Sequence, residues 1–239
     1  MIASPENTPV TADSNVVGNT MAWNSDVDYN RHGTLAIASL LDGHEEPRST
    51  GANGFINITS SSAVATKVLV PVSATATSSW NTRLAIHTID GTDLTPNTGV
   101  STGNTIPSSW PVCGNAPDGN MWLTNGVIVG QTIVYDLGSS ILTYGFHLWN
   151  YNEGSGYNKR SIQTMTVSIG ASATGPWTPI TLTTTTFTES PGTATYTGET
   201  YSYTTPQTAE FIQFSNIVNW ENNAAGDPYT GIDEVRFLE

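Results

Sequence analysis

Between Trp149 and Arg160 the chain carries Trp149-Asn150-Tyr151-Asn152-Glu153 and, beyond Gly154-Ser155-Gly156, the neighbours Lys159 and Arg160. Indole and phenol faces pack on the C–H surface of a sugar ring, while amides and cationic side chains hydrogen-bond its hydroxyls. Both chemistries occur here within one short segment. His147 alternates onto the same face of a strand as Trp149. Trp220, between Asn219 and Asn222, opens a second polar stretch, WENNAAGDPY. The competing reading is structural: aromatic side chains in β domains also pack beneath loops, and Glu153 can pair with Arg160 without touching a ligand. The segment leaves both readings open. Catalytic patterns are missing, with no His pair at metal spacing, no Gly-x-Ser-x-Gly and no phosphate loop, and His32, His44, His87 and His147 are scattered. Glu153 and Glu221 read as loop-solvating acids rather than as the paired carboxylates of a glycoside hydrolase. The chain is therefore expected not to be an enzyme.

The elements that must hold these residues are short strands. In TIVYDLG, Ile133, Tyr135 and Leu137 share one face; in ILTYGFHLW, Leu142, Tyr144, Phe146 and Leu148 form a period-two stripe, with Thr143, His147 and Trp149 opposite. Met165, Val167 and Ile169 repeat the pattern, as do Ile180 and Leu182, Ile212 and Phe214, and Val235 and Phe237. Val68, Val70 and Val72 alternate, with Pro71 marking an edge. Turns such as Gly138-Ser139 and Gly175-Pro176 separate the runs, and no helical pattern intervenes, which predicts an all-β antiparallel sandwich or jelly roll. Residues 1–33 are polar and turn-rich and read as an extended arm; Leu35 to Leu41 fit a short helix or a strand. Two biased stretches, 94–120 and the Thr-rich 181–207, are long enough to carry function or assembly.

Charged residues make up only 11% of the 239, and seven Lys and Arg face twenty Asp and Glu, a net charge of −13. Such a surface repels nucleic-acid phosphates and suits a hard cation such as Ca2+. Cys113 stands alone, so no intrachain disulfide or thiolate cluster is available. No apolar run reaches the ~20 residues of a membrane span, and the first residues lack the basic and apolar regions of a signal peptide. Asn57-Ile58-Thr59 forms a glycosylation sequon.

The order of motifs resembles a discoidin-type (F5/8 type C, galactose-binding-like) carbohydrate-binding domain over roughly residues 68–239. VSATATSSW followed by HTIDGTDL is similar to its opening, MWLTNG to its Trp segment, and QTIVYDLG to the strand ending in Asp-Leu-Gly. FHLWNYNEG, KRSIQTMTVSIGAS and GPWTPI resemble the next strand and hairpin, AEFIQFSN and GIDEVRFLE the last two strands. The resemblance implies an eight-stranded antiparallel jelly roll that binds glycans through loops at one end, with Trp122 and Trp177 structural. It also implies a structural calcium held by Asp90 and Glu234, with Asp93 and the Thr92 and Thr95 carbonyls as further donors. The vertebrate members' disulfide is absent here, and residues 1–67 have no counterpart. On this basis the chain reads as a non-catalytic, lectin-like adhesion protein, extracellular or on a virion surface. Its glycan-binding residues would be Trp149, Asn150, Tyr151, Asn152, Lys159, Arg160 and Trp220. The rival is a structural virion protein, such as a capsid decoration or tail component, anchored to a neighbouring subunit through residues 1–67.

Overall fold

The computed structural model describes residues 20–22, 55–57, 65–116, 119–221 and 226–239. The chain divides into two units, 1–63 and 64–239. In the first, β1 (Thr20–Ala22) pairs antiparallel with β2 (Phe55–Asn57), so this third of the sequence does contain strand pairing that its polar composition hid. Leu35 to Leu41 and the rest of the expected arm lie outside the described residues.

Among its described residues, the second unit is all β apart from two short 3-10 turns, Ala85–Thr88 and Tyr157–Arg160. Its strands are β3 (Val68–Leu69), β4 (Ser73–Ala76), β5 (Leu94–Thr95), β6 (Val112–Cys113), β7 (Trp122–Leu123) and β8 (Ile133–Asn150), followed by β9 (Ile162–Gly170), β10 (Thr178–Pro179), β11 (Glu199–Asn219) and β12 (Gly231–Leu238). All of the strand pairings are antiparallel. Two long strands run through both layers. The first part of β8 (133–136) pairs with β4 and with the end of β11, which in turn carries β9 and β10. The second part of β8 (145–150) pairs with β12 and the start of β11, and β12 carries β3 and β7. Between the parts the ladder breaks, so that Ala209 pairs with Ile141 and Phe211 with Asp136. That irregularity, with Gly138 at φ 83°, lets the strands bend from one layer to the other.

The layers face each other across an aromatic core. Tyr135 lies edge-on to Phe214 (5.2 Å) and Phe237 (5.5 Å), and Phe146 sits 5.1 Å from Phe214. The buried parity reverses further along β8, where the ladder with β11 shifts again between Ser202 and Gln207: Ile133, Tyr135, Leu137 and Thr143 are buried before that shift, and Phe146 and Leu148 after it. Leu142, expected in the core stripe, still lies before that reversal and is 44% exposed, while its neighbour Thr143 is buried. The Val68–Val72 alternation fails similarly. Val68 and Leu69 are both buried, Val72 is 64% exposed, and the chain crosses from β3 to β4 at Pro71, which has no N–H to give a ladder.

Candidate functional site

Four chain segments meet at one end of the domain: the turn after β4, the loop after β7, the exit from β8 and the loop before β12. Backbone bonds fix their positions. Trp80 N–H donates to Leu123 O (2.8 Å), Thr124 N–H to Thr230 O (2.9 Å) and the Thr230 hydroxyl to Arg160 O (3.0 Å). At their centre lies Glu153, buried, and paired with Arg83 (2.7 Å) and more loosely with Arg160 (3.6 Å). Arg83 also donates to the Tyr151 hydroxyl, which donates to Glu153. Arg160 bonds both oxygens of Asp227 through Nε (3.0 and 2.9 Å). Burial works against its charge, but Asp227 and Tyr151 outweigh it and raise its proton affinity.

Around this ionic centre stand aromatic rings. The Arg160 guanidinium lies 4.2 Å from the ring centre of Tyr157 and 4.9 Å from that of Tyr229. Tyr229 meets Trp80 edge to face at 6.3 Å, and Arg83 lies 5.6 Å from the Trp80 ring. Trp80 and Tyr157 remain 40% and 43% exposed, each held by a guanidinium. The result is a row of partly exposed rings, Trp80, Tyr229 and Tyr157, over a buried set of ion pairs that locks them. Rings fixed in advance lose little freedom on binding, and their apolar faces suit the C–H faces of a sugar.

The segment singled out by sequence divides between scaffold and surface. Trp149, Asn150, Tyr151 and Asn152 are all fully buried, which corrects their expected contact with a glycan. Trp149 donates to Pro111 O (2.9 Å) and packs against Trp110 and His147 beneath the 94–120 loop. Asn150 donates to Ile162 O and Thr188 O, and Asn152 to Gly114 O and Thr193 O, so both amides splice loops to the strand end. Lys159 is exposed. Arg160 joins the ring cluster, and Trp220, half-buried, has its backbone N–H on Lys159 O and Ser161 O (3.1 Å each). Asn222 lies outside the described residues. Trp80, Arg83, Tyr157, Asp227 and Tyr229 were missed. The Trp80-Asn81-Thr82-Arg83 turn and the Asp227-Pro228-Tyr229 turn were visible signals, but nothing local joins them.

The residues expected to hold calcium do not fit a cage. Glu234 is fully buried, with one oxygen accepting Gly91 N–H (2.9 Å) and the other bonded to the Arg236 guanidinium. Burial pushes its carboxyl up, and the Arg236 guanidinium in direct contact, with Gly91 N–H, pulls it back towards the charged form. Asp90 turns to His87 (2.8 Å) and to Thr92 N–H (2.9 Å). Asp93 lies against Gly114 instead. Among the described residues no three His, Cys, Asp or Glu side chains form a metal-holding group. Cys113 is buried, and burial together with Asp233 and Asp93 pushes its thiol far up, which leaves it unreactive. A groove of about 350 Å³ lies elsewhere, at the bulged edge lined by Ser140, Ile169, Thr178 and Glu210.

No protein-family model matches the chain, and no curated protein does. Solved structures do. The family 32 carbohydrate-binding module of C. perfringens NanJ, in complex with galactose, is 19% identical, covering 72% of this chain and 99% of that one (TM-score 0.48). The family 32 module of AlyQ, in complex with 4,5-unsaturated mannuronic acid, is 23% identical over 71% of this chain and 96% of that one (TM-score 0.44). A chitosan-binding module from a Paenibacillus sp. IK-5 chitosanase/glucanase is 19% identical over 72% and 96% (TM-score 0.42). Family 32 modules are galactose-binding-like, discoidin-type domains.

Proposed function

We propose that this chain is a non-catalytic glycan-binding protein whose sugar site is the ring row Trp80, Tyr229 and Tyr157, with Lys159 and Trp220 at its margin. The observation that carries this reading is the half-exposed Trp80 ring, braced by Arg83 and Tyr229 at the meeting point of four loops. Nothing in a solvent-facing loop requires an indole there for packing alone. A non-catalytic role accords with Glu153, which is bonded by Arg83 and Tyr151 and buried away from any ligand that rests on the rings. The site is shallow, so single-site affinity is on the order of millimolar, about −4 kcal/mol, and adhesion to a surface needs several copies. A glycan array probed with a multimerised form tests the reading. Hits that vanish in Trp80→Ala and persist in Ser73→Ala support it. If the multimer binds no glycan, the structural reading anchored through residues 1–67 takes its place.

A further inference from the structure

The loop that follows the Asp90-Gly91 turn is tied to the last strand at both of its ends. Gly91 N–H donates to Glu234 (2.9 Å), and Val100 O accepts from Arg236 Nε (3.0 Å). Glu234 and Arg236 stand two residues apart on β12, bonded to each other, and Arg236 Nη1 also reaches Val235 O (2.7 Å). Both side chains are 3% exposed or less. A carboxylate this deep needs a cation beside it, and a guanidinium supplies both charge and a fork of donors. We infer that Arg236 is the resident cation of this loop, taking the place of the calcium that the family resemblance implies, so that the domain holds the Gly91–Val100 loop without metal. A divalent ion at Glu234 would face a fixed guanidinium already bonded to that carboxylate, and two cations so close in a buried site repel strongly. The inference is independent of the glycan reading, because it concerns folding stability.

The test uses the full chain, stripped with EDTA and then examined by calorimetric titration with CaCl2 and by thermal unfolding with and without calcium. Wild type is expected to give no binding heat and the same midpoint in both buffers. Arg236→Met strands Glu234 without its partner and is expected to lower the midpoint by roughly 6–20 °C. Adding Glu234→Gln to Arg236→Met is expected to recover part of that loss, since the uncompensated charge is gone. A wild-type midpoint that falls on chelation, or a calcium heat that disappears in Glu234→Gln, overturns the inference. Those two wild-type readings decide the matter even where Arg236→Met does not fold.

Discussion

His147 shows how much a single buried side chain sets the chemistry of its surroundings. Its Nε2–H donates to Thr197 O (2.7 Å), which leaves Nδ1 to accept from the Thr200 hydroxyl (2.8 Å), an assignment that follows from the partners. It stacks on Trp110 at 3.9 Å. Burial, with Arg236 adding to it, holds its pKa down to about 3, so the folded protein keeps it neutral. An unfolded His takes up a proton near pH 6.5, and the unfolded state therefore binds more protons between 6.5 and 3. Stability from this group is whole above pH 6.5 and drains as pH falls towards 3, by at most about 1.4 kcal/mol per pH unit. Thermal midpoints recorded across that range should fall less steeply in His147→Gln than in wild type; parallel curves would remove His147 as the cause. The neighbouring Trp149 is a core residue, so Trp149→Ala should cost about 3–5 kcal/mol in denaturant unfolding. Trp80→Ala, at the surface, should cost under about 1 kcal/mol. Equal costs would contradict the division between scaffold and surface drawn above.

At the scale of elements, the two long strands β8 and β11 decide which faces are buried. Gly145 marks one place where they approach too closely for a side chain: an added Cβ would strike the Tyr201 carbonyl and press on Ser202 Cα (2.9 Å). Gly145→Ala should destabilise the domain by roughly 1–3 kcal/mol in urea, and an unchanged transition would mean that the strands part without cost. Strands whose period is unbroken, such as Ile133-Tyr135-Leu137 and Ile212-Phe214, were legible from alternation alone. The Leu142-Tyr144-Phe146-Leu148 stripe was half misread, because the parity reverses between Thr143 and Phe146, where the ladder with β11 shifts register and the sequence offers only Gly145 as a signal. His147, Trp149 and Tyr151 looked available because their sequence neighbours are polar. Trp110, Pro111 and Thr197 cover His147 and Trp149, and Met121, Leu123 and Tyr229 cover Tyr151, all from segments whose paths no local rule sets. The ring row was out of reach for the same reason, since Trp80, Tyr157 and Tyr229 come from three loops distant in sequence.

For the whole molecule, every ring of the Tyr135–Phe146–Phe214–Phe237 core belongs to the unit 64–239. Residues 64–239 produced alone should keep a β-type circular dichroism spectrum and a cooperative melt, which would leave nearly all of the proposed 1–67 arm or connector outside the folding unit; a fragment that fails to melt cooperatively would give the first unit a part in folding. Starting instead at 68 would remove Thr66 and Lys67, whose N–H groups both reach Glu239 O (2.8 Å), and so strip a rung beside β12. On the proposed reading, the loop end of the antiparallel jelly roll presents its braced rings as a small aromatic platform to uncharged sugar faces. The most direct test is a titration of one array-selected glycan, comparing dissociation constants for wild type, Trp80→Ala and Trp149→Phe. Loss of one stacking ring should weaken Trp80→Ala by ~3–10-fold at an unchanged melting midpoint, with Trp149→Phe binding as wild type does. Wild-type affinity in Trp80→Ala, with weakening in Trp149→Phe, would contradict the site.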